Sequence, residues 1–183
     1  MRLVHHTLTS EPGVLCLVPV EHAQTIWQAL QHDGQSWGVT LVGQEALNIA
    51  RIEAGLPWWG VDLDESVLLP ETGLEKILTS DTKGCYIGQE IVARVDTYGS
   101  VNKKLVGLLV EGDTTPATND AVMREQESVG RITSACFSLA LKRPIALGYV
   151  KRGSYEPGTR VEILHGETHL TATVTTRPFV PPS

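Results

Sequence analysis

The first part of the chain alternates between short apolar runs and polar turns. Residues 2–9 alternate loosely between apolar and polar positions, as strands do, and the polar turn 10–13 joins them to a second, apolar run at residues 14–20. Residues 20–30 then repeat apolar side chains at helical spacing. The pattern predicts a hairpin and a helix, with Trp27 in the core. The predicted inner face of the helix carries Ala23, Ile26, Trp27 and Leu30.

A second strand and a second helix follow. Residues 39–42 come after a glycine-containing turn and predict a short strand. Residues 44–55 place their apolar side chains on one stripe and end at Gly55, which is a natural stop for a helix. Two strands, a helix, a strand and a helix predict part of an α+β sandwich.

The pattern changes to short β-branched runs from residue 101 onward. Turn-forming segments separate six such runs, and this spacing predicts a small barrel or sandwich. We therefore divide the chain into a first domain, residues 1–95, and a β domain, residues 101–183. The predicted strands cover residues 103–110, 121–123, 128–134, 145–150, 160–164 and 169–175.

Composition and charge restrict the possible functions. A formal net charge of −6 argues against nonspecific binding of nucleic acid, and no apolar run approaches the length of a membrane span. Cys16, Cys85 and Cys136 are too widely spaced for a zinc pattern, and their odd number argues against a disulfide scaffold. This cysteine usage fits a reducing compartment, so we expect a cytoplasmic protein that contacts neither nucleic acid nor membrane.

Residues 81–94 contain many of the side chains that could take part in catalysis or binding. Gly84 and Gly88 allow the chain to bend tightly around Cys85, and the residues after Gly88 predict a short helix. A thiol near the positive end of a helix and close to Lys83 is favoured as a thiolate, which acts as a nucleophile or metal ligand. A buried cysteine in a tight turn is the alternative. Cys136 follows a turn in the β domain and is assigned to packing.

A second candidate site lies at the end of the second predicted helix. Arg51 and Glu53 are two residues apart, so on a regular helix their side chains point in different directions. A carboxylate beside a cavity suits a pterin ring, whose 2-amino and ring N–H groups form a flat donor pair. A solvated, charged helix end is the alternative. For Trp58 and Trp59, which follow in a loop, stacking on a ligand ring and anchoring of the loop are both open.

The motifs resemble those of a known superfamily. Residues 83–90 resemble the K-G-C-[FY]-x-G-Q-E signature of the YgfZ family of folate-binding proteins, relatives of the glycine-cleavage T-protein. Residues 51–63 resemble the R-x-E-x-G-x-x-x-x-G-x-D-x segment of that superfamily. At the positions that match residues 83–90, T-proteins tend to have Phe-x-Gly-Arg-Glu and no cysteine. Cys85 and Gln89 therefore indicate the YgfZ branch. Residues 130–134, 146–150 and 157–159 resemble segments of the C-terminal barrel of the T-protein superfamily.

The resemblance implies a fold and a set of site residues. The fold is α+β: a partial ferredoxin-like, folate-binding module followed by a six-stranded β-barrel. Glu53 would hold the pterin of tetrahydrofolate, with Arg51, Trp58 and Arg94 as further folate-binding residues. Cys85 would be the catalytic thiolate or a metal ligand, and because one cysteine cannot hold an iron–sulfur cluster alone, a transient cluster would be shared with a partner. The supporting motif residues would be Lys83, Gly84, Tyr86, Gly88, Gln89 and Glu90.

The function implied by the resemblance is that of a tetrahydrofolate-binding protein aiding iron–sulfur cluster assembly or repair and thereby tRNA modification. Its partners would be iron–sulfur assembly proteins or cluster-containing client enzymes. A T-protein-like aminomethyltransferase and a non-catalytic binding module are the alternatives, and the first is the expected class if the chain is an enzyme. Full-length family members carry a further upstream part, which in T-proteins supplies an aspartate for aminomethyl transfer. We therefore expect this chain to be a truncated form, and a minimal variant is the alternative.

Overall fold

The computed structural model describes residues 1–80, 82, 84–90, 92–93 and 101–181, with Lys76 in its backbone only. It contains an N-terminal hairpin and helices, followed by a closed six-stranded antiparallel β-barrel. The predicted α+β class and the predicted barrel are therefore confirmed.

The N-terminal segment forms the predicted hairpin and helix, but the helix is not packed as expected. Strands β1 (Arg2–His5) and β2 (Val14–Leu17) pair antiparallel, and helix α1 (Val20–Gly34) runs into a 3-10 turn at Gln35–Trp37. No side chain of α1 is buried. The prediction of a core Trp27 is wrong, because this side chain is 53% exposed. Periodicity identifies the residues that share a face, but it does not show whether another element covers that face.

The next segment differs from its prediction in one place. Residues 39–42 form no strand, and three of their apolar side chains are exposed. A strand needs a neighbour to accept its backbone hydrogen bonds, and no described segment pairs with this one. Helix α2 (Gln44–Glu53) is present as predicted and buries Arg51 and Ile52. Two short helices that were not predicted follow it: α3 (Leu69–Thr72) and α4 (Glu75–Leu78).

The β domain is a closed barrel in the order β3-β6-β5-β4-β7-β8, with β8 paired back to β3. All six predicted strands are present, and every pairing is antiparallel. Closure leaves no long free edge, which is the usual way in which a small sheet avoids pairing with other chains. The strands are β3 (Lys103–Val110), β4 (Ala121–Arg124), β5 (Glu127–Ser138), β6 (Arg143–Lys151), β7 (Arg160–His165) and β8 (Thr168–Thr175).

Strand β6 is buried on both faces, and this joins the barrel to the helical part. Ala146 and Val150 point into the barrel interior, whereas Ile145, Leu147 and Tyr149 join a second cluster outside it. Ile52 of α2 belongs to this second cluster and is fully buried. The near-continuous apolar sequence of β6 therefore reflects burial on both sides of the strand. Cys136 packs in the same outer cluster, as predicted.

Candidate functional site

A buried ion pair connects α2 to the loop that follows it. Arg51 Nη1 lies 2.5 Å from Asp62 Oδ2, and the two residues are 1% and 3% exposed. The remaining Arg51 donors reach Asn48 Oδ1 at 2.8 Å and Ser134 Oγ at 2.7 Å. The guanidinium is thus held by the loop, its own helix and the barrel at once.

A bulge in β5 directs two adjacent hydroxyls at the same carboxylate. Thr133 Oγ1 donates to Asp62 Oδ1 at 2.5 Å, and Ser134 Oγ donates to the same atom at 2.7 Å. Neighbouring strand residues normally point to opposite faces, but the pairing of β5 with β6 shifts register between Ile132 and Ser134. The bulge therefore completes the hydrogen bonding of a buried charge.

Trp58 covers this cluster. Its backbone N–H donates to Asp62 Oδ2 at 3.0 Å, and the Arg51 Cζ atom lies 4.9 Å from its ring centroid. A guanidinium over an indole is attracted by the ring quadrupole. Trp58 is half-buried, whereas Trp59 is 71% exposed. Of the two interpretations left open, loop anchoring describes the contacts of Trp58, and its contact with folate stays a prediction.

The burial of Arg51 bears on its predicted role. A side chain that is 1% exposed and whose donors reach protein acceptors offers no free surface to a ligand. We therefore assign Arg51 to the structural cluster, and its predicted contact with folate has no support from this placement. Asp62 was part of the quoted R-x-E segment, but nothing in the sequence showed that it would pair with Arg51 across ten intervening residues.

Glu53 points to a different place from Arg51, as the two-residue spacing predicted. Its Oε1 accepts hydrogen bonds from Ser138 Oγ at 2.6 Å and from the Ala140 backbone N–H at 3.2 Å. Within the described part of the chain, Oε2 accepts no hydrogen bond, and the residue is half-buried. The site therefore presents one fixed and one open carboxylate oxygen, which suits a ligand with N–H donors.

The C-terminal tail fixes the end of α2. The Glu53 backbone carbonyl accepts hydrogen bonds from the N–H groups of Phe179 at 2.9 Å and Val180 at 3.0 Å. Arg177 donates to the backbone carbonyls of Gly55 and Thr72, and its burial lowers the pKa of the guanidinium. Sequence reasoning missed both Ser138 and Arg177. No local motif marks them, because they act on residues more than eighty positions away.

The Cys85 segment lies on the surface where the structure describes it. Gly84 and Cys85 are exposed, and Tyr86 is half-buried. Gly88 has a φ of 92°, and the residues after it begin a helical turn, as predicted. The Tyr86 backbone N–H donates to Gln89 Oε1 at 3.2 Å, so Gln89 orders the loop. Lys83 and Arg94 lie outside the described residues, and the roles predicted for them and for Glu90 stay predictions.

Metal binding has no support from the described side chains. Within residues 1–80, 82, 84–90, 92–93 and 101–181, no group of three or more His, Cys, Asp or Glu side chains could hold a metal ion. Cys85 and Cys16 are exposed, and Cys136 is buried. Burial, with a further contribution from the charge of Glu53, raises the pKa of the Cys136 thiol to about 12. A shared cluster at Cys85 stays a prediction. No described helix is both long enough and apolar enough to span a bilayer.

Comparison with known proteins finds two family models that match this chain. Residues 1–82 match the GCVT N-terminal domain, and residues 103–181 match the glycine cleavage T-protein C-terminal barrel domain. The two matches follow the order of the helical part and the barrel, and together they cover most of the chain. Both segments are thus similar to domains of the glycine cleavage T-protein, in the order in which they occur along this chain.

Similar proteins of known name are aminomethyltransferases. The chain is 30% identical over 171 residues to an aminomethyltransferase of Caldanaerobacter subterraneus, covering 93% of this chain and 45% of the relative. It is 33% identical over 175 residues to a mitochondrial aminomethyltransferase of Mesembryanthemum crystallinum, covering 94% and 42%. The chain thus spans less than half the length of these relatives. The finer assignment to the YgfZ family is not shown by these matches.

A solved structure has the same fold. The glycine cleavage system aminomethyltransferase T from Bartonella henselae superimposes with a TM-score of 0.88 at 22% sequence identity. The match covers 98% of this chain and 50% of the other. The arrangement of hairpin, helices and barrel is therefore that of an established fold.

Proposed function

We propose that the chain binds tetrahydrofolate through Glu53 and serves a one-carbon transfer of the aminomethyltransferase type. The observation that carries the proposal is the half-buried Glu53 carboxylate, whose Oε1 is fixed while its Oε2 is open. The similarity to proteins named aminomethyltransferase supports this reaction class over the cluster-repair function that the Cys85 motif suggested.

The carboxylate fits the recognition of a reduced pterin. The 2-amino and ring N–H groups of a pterin are adjacent donors in one plane. Oε1 already accepts two hydrogen bonds, from Ser138 and Ala140, so the two lone pairs of Oε2 are the acceptors left for the pterin donors. Hydrogen bonds to an ionised group are stronger than neutral ones. Glu53 would therefore bind the ring and set its orientation.

Other residues of the chain keep Glu53 in place. Ser138 and Ala140 orient the carboxylate, and the N–H groups of Phe179 and Val180 hold its backbone carbonyl. The Arg51 cluster locks the preceding turn of α2 against the barrel. Tetrahydrofolate, when bound, supplies the nitrogen that accepts the one-carbon unit. A recognition group on a rigid support loses little conformational entropy when the ligand binds.

The reaction class is tested in a reconstituted glycine-cleavage reaction that measures folate-dependent methylene transfer. We expect Glu53→Gln to reduce the transfer measured with the wild type. Cys85→Ser should leave it unchanged, because the proposed folate contacts do not involve the thiol. Transfer that persists in Glu53→Gln would contradict the proposed role of this carboxylate.

A second candidate function is cluster assembly or repair of the YgfZ type. The observation that favours it is the exposed Cys85, on a loop that Gln89 orders, within the K-G-C-Y-I-G-Q-E string. Under this proposal the partners are iron–sulfur assembly proteins or client enzymes in the cytoplasm. Anaerobic titration with a [2Fe–2S] donor and a partner distinguishes the two functions. Cluster uptake that is lost in Cys85→Ser would favour the second, whereas uptake equal in both proteins would remove it.

A further inference from the structure

The hairpin and helix α1 expose an apolar surface that the site described above does not use. None of residues 1–50 is buried. We call the exposed apolar side chains of β1, β2 and α1 the N-terminal surface. Its members include Leu3, Val4, Leu15, Leu17, Trp27 and Leu30. Monomeric proteins rarely expose contiguous apolar patches of this kind unless the patch binds a partner.

The elements that carry the N-terminal surface do not bury enough to hold their own structure. A two-stranded hairpin is at best marginally stable in water, and so is an isolated helix as short as α1, which has 15 residues. Fixing the backbone of one residue costs about 1–2 kcal/mol, and burial of apolar side chains normally offsets this cost. The hairpin and α1 therefore need a further element to pack against.

The composition of this segment is that of an interface. Charged residues make up 20% of the chain, but among residues 1–43 only Arg2, Glu11, Glu21 and Asp33 are acidic or basic, with histidine counted as neutral. Depletion of charged side chains, together with enrichment of aromatic ones, is typical of the core of a protein–protein interface. The N-terminal surface is therefore suited to an apolar partner.

Strand β2 shows that the partner must cover both sides of the hairpin. Leu15 and Leu17 share one face of the strand, Val14 and Cys16 share the other, and all four are exposed. A near-continuous apolar strand is typical of burial on both faces, which is what β6 has in the same chain. A second copy docked on one face would leave the opposite face bare, so the partner has to supply elements to both.

The comparisons indicate which polypeptide supplies these elements. The Bartonella henselae structure matches 98% of this chain, so the hairpin and α1 have counterparts there, whereas half of that protein lies outside the match. The aminomethyltransferase of Caldanaerobacter subterraneus likewise extends beyond the 45% that this chain matches. The N-terminal surface lies in the region, residues 1–82, that matches the GCVT N-terminal domain. The unmatched half of such proteins is therefore the polypeptide that fits it.

We propose that the N-terminal surface docks a polypeptide equivalent to the half of the aminomethyltransferases that this chain does not match. Strands of this partner extend the β1–β2 sheet, and its apolar side chains cover α1 and both faces of the hairpin. The hairpin and α1 become stably folded when the partner binds. Docking requires neither folate nor the Glu53 carboxylate, so it does not rest on the proposed function.

The test is co-expression of the full chain with a tagged partner, the part of the Caldanaerobacter subterraneus aminomethyltransferase outside the matched 45%. We expect the two polypeptides to co-purify in equal amounts. Leu17→Asp and Trp27→Asp, which place a charge on the N-terminal surface, should lower the co-purified amount by about tenfold or more. Thr168→Asp, which adds the same charge at an exposed end of the barrel, is the matched control and should co-purify like the wild type.

Hydrogen exchange of the full chain provides the second readout. In the chain alone, the amides of α1 should exchange at least about tenfold faster than those of the barrel strands, and the partner should slow them by a similar factor. Barrel amides that exchange equally slowly in the wild type, Leu17→Asp and Trp27→Asp show that these variants are folded.

Four results would overturn the proposal. The first is failure of the wild type to co-purify with the partner, and the second is co-purification of Leu17→Asp and Trp27→Asp at the wild-type level. The third is slow exchange of α1 in a monomeric chain without the partner, which would show that the segment needs no cover. The fourth is a stable dimer of the chain, measured by light scattering, that protects α1 and excludes the partner; a second copy would then be the occupant.

Discussion

Arg51 Nη1 lies 2.5 Å from Asp62 Oδ2, and both side chains are almost fully buried. The pair is completed by Ser134 and Thr133 of the barrel, so one hydrogen-bonded cluster joins α2, the following loop and β5. Glu53 lies in the same turn of α2. The cluster therefore also determines the position of the Glu53 carboxylate, which is the proposed folate-binding group.

Replacement of Arg51 by Met should destabilise the fold strongly. The substitution leaves Asp62 buried without its cation, and breaking a buried pair in this way costs about 3–5 kcal/mol. The free energy of unfolding, measured by urea denaturation, checks this. Arg131→Met is the control, because Arg131 is exposed and contacts Asn119, and it should cost less than about 1 kcal/mol. Similar losses in the two variants would contradict the structural role of the buried pair.

Gly55→Ala should cost more than the same change at Gly38. Both glycines have a positive φ, 67° at Gly55 and 75° at Gly38, so both alanine variants carry backbone strain of about 1–2 kcal/mol. A Cβ at Gly55 would also lie 2.6 Å from Arg177 Cβ, whereas a Cβ at Gly38 would meet no atom within 4 Å. The larger loss at Gly55 therefore measures the packing of the tail against α2.

Urea denaturation of Gly55→Ala and Gly38→Ala measures the loss in the free energy of unfolding for each variant. Equal losses would show that Arg177 moves away without cost and that the tail does not hold the end of α2. The Glu53 backbone would then lack the support that its hydrogen bonds to Phe179 and Val180 indicate.

The sequence predicted those parts of the fold that local patterns encode. The six barrel strands, the hairpin and α2 follow from periodicity and turn residues, and each is present. Residues 39–42 and Trp27 were predicted wrongly because strand pairing and burial depend on partners that are distant in sequence. Local apolar patterns carry no information about those partners.

The candidate site was predictable only in part. The spacing of Arg51 and Glu53 correctly separated their directions, but it did not predict their contacts with Ser134 and Ser138 of β5. Two adjacent strand hydroxyls that point at one carboxylate cannot be predicted from an alternating pattern, because a bulge at Thr133 breaks the alternation.

Alkaline pH should destabilise the protein through Cys136. Burial and the charge of Glu53 raise the pKa of this thiol from 9.0 to about 12. Between these values the unfolded chain releases the proton while the folded protein keeps it, so stability is full below pH 9 and falls as the pH rises toward 12. Cys136→Ala should show a shallower fall in the free energy of unfolding across this range.

The comparison with Cys136→Ala also removes the contribution of the Tyr149 hydroxyl, which lies in the same outer cluster as Cys136. Burial raises the pKa of Tyr149 as well, and this acts in the same direction in both proteins. The difference between the two pH profiles therefore isolates the thiol. Parallel profiles above pH 9 would show that Cys136 ionises as readily in the folded protein as in the unfolded chain.

The most direct measurement is an anaerobic titration of tetrahydrofolate into the wild type, Glu53→Gln and Glu45→Gln. Glu45 lies on the same helix and is exposed, so its variant is the control for loss of one charge from α2. We expect the wild type and Glu45→Gln to bind tetrahydrofolate with the same affinity. Glu53→Gln loses the charge-assisted bonds, so its affinity should be lower by about tenfold or more. Equal affinity in all three proteins would contradict recognition of the pterin by Glu53.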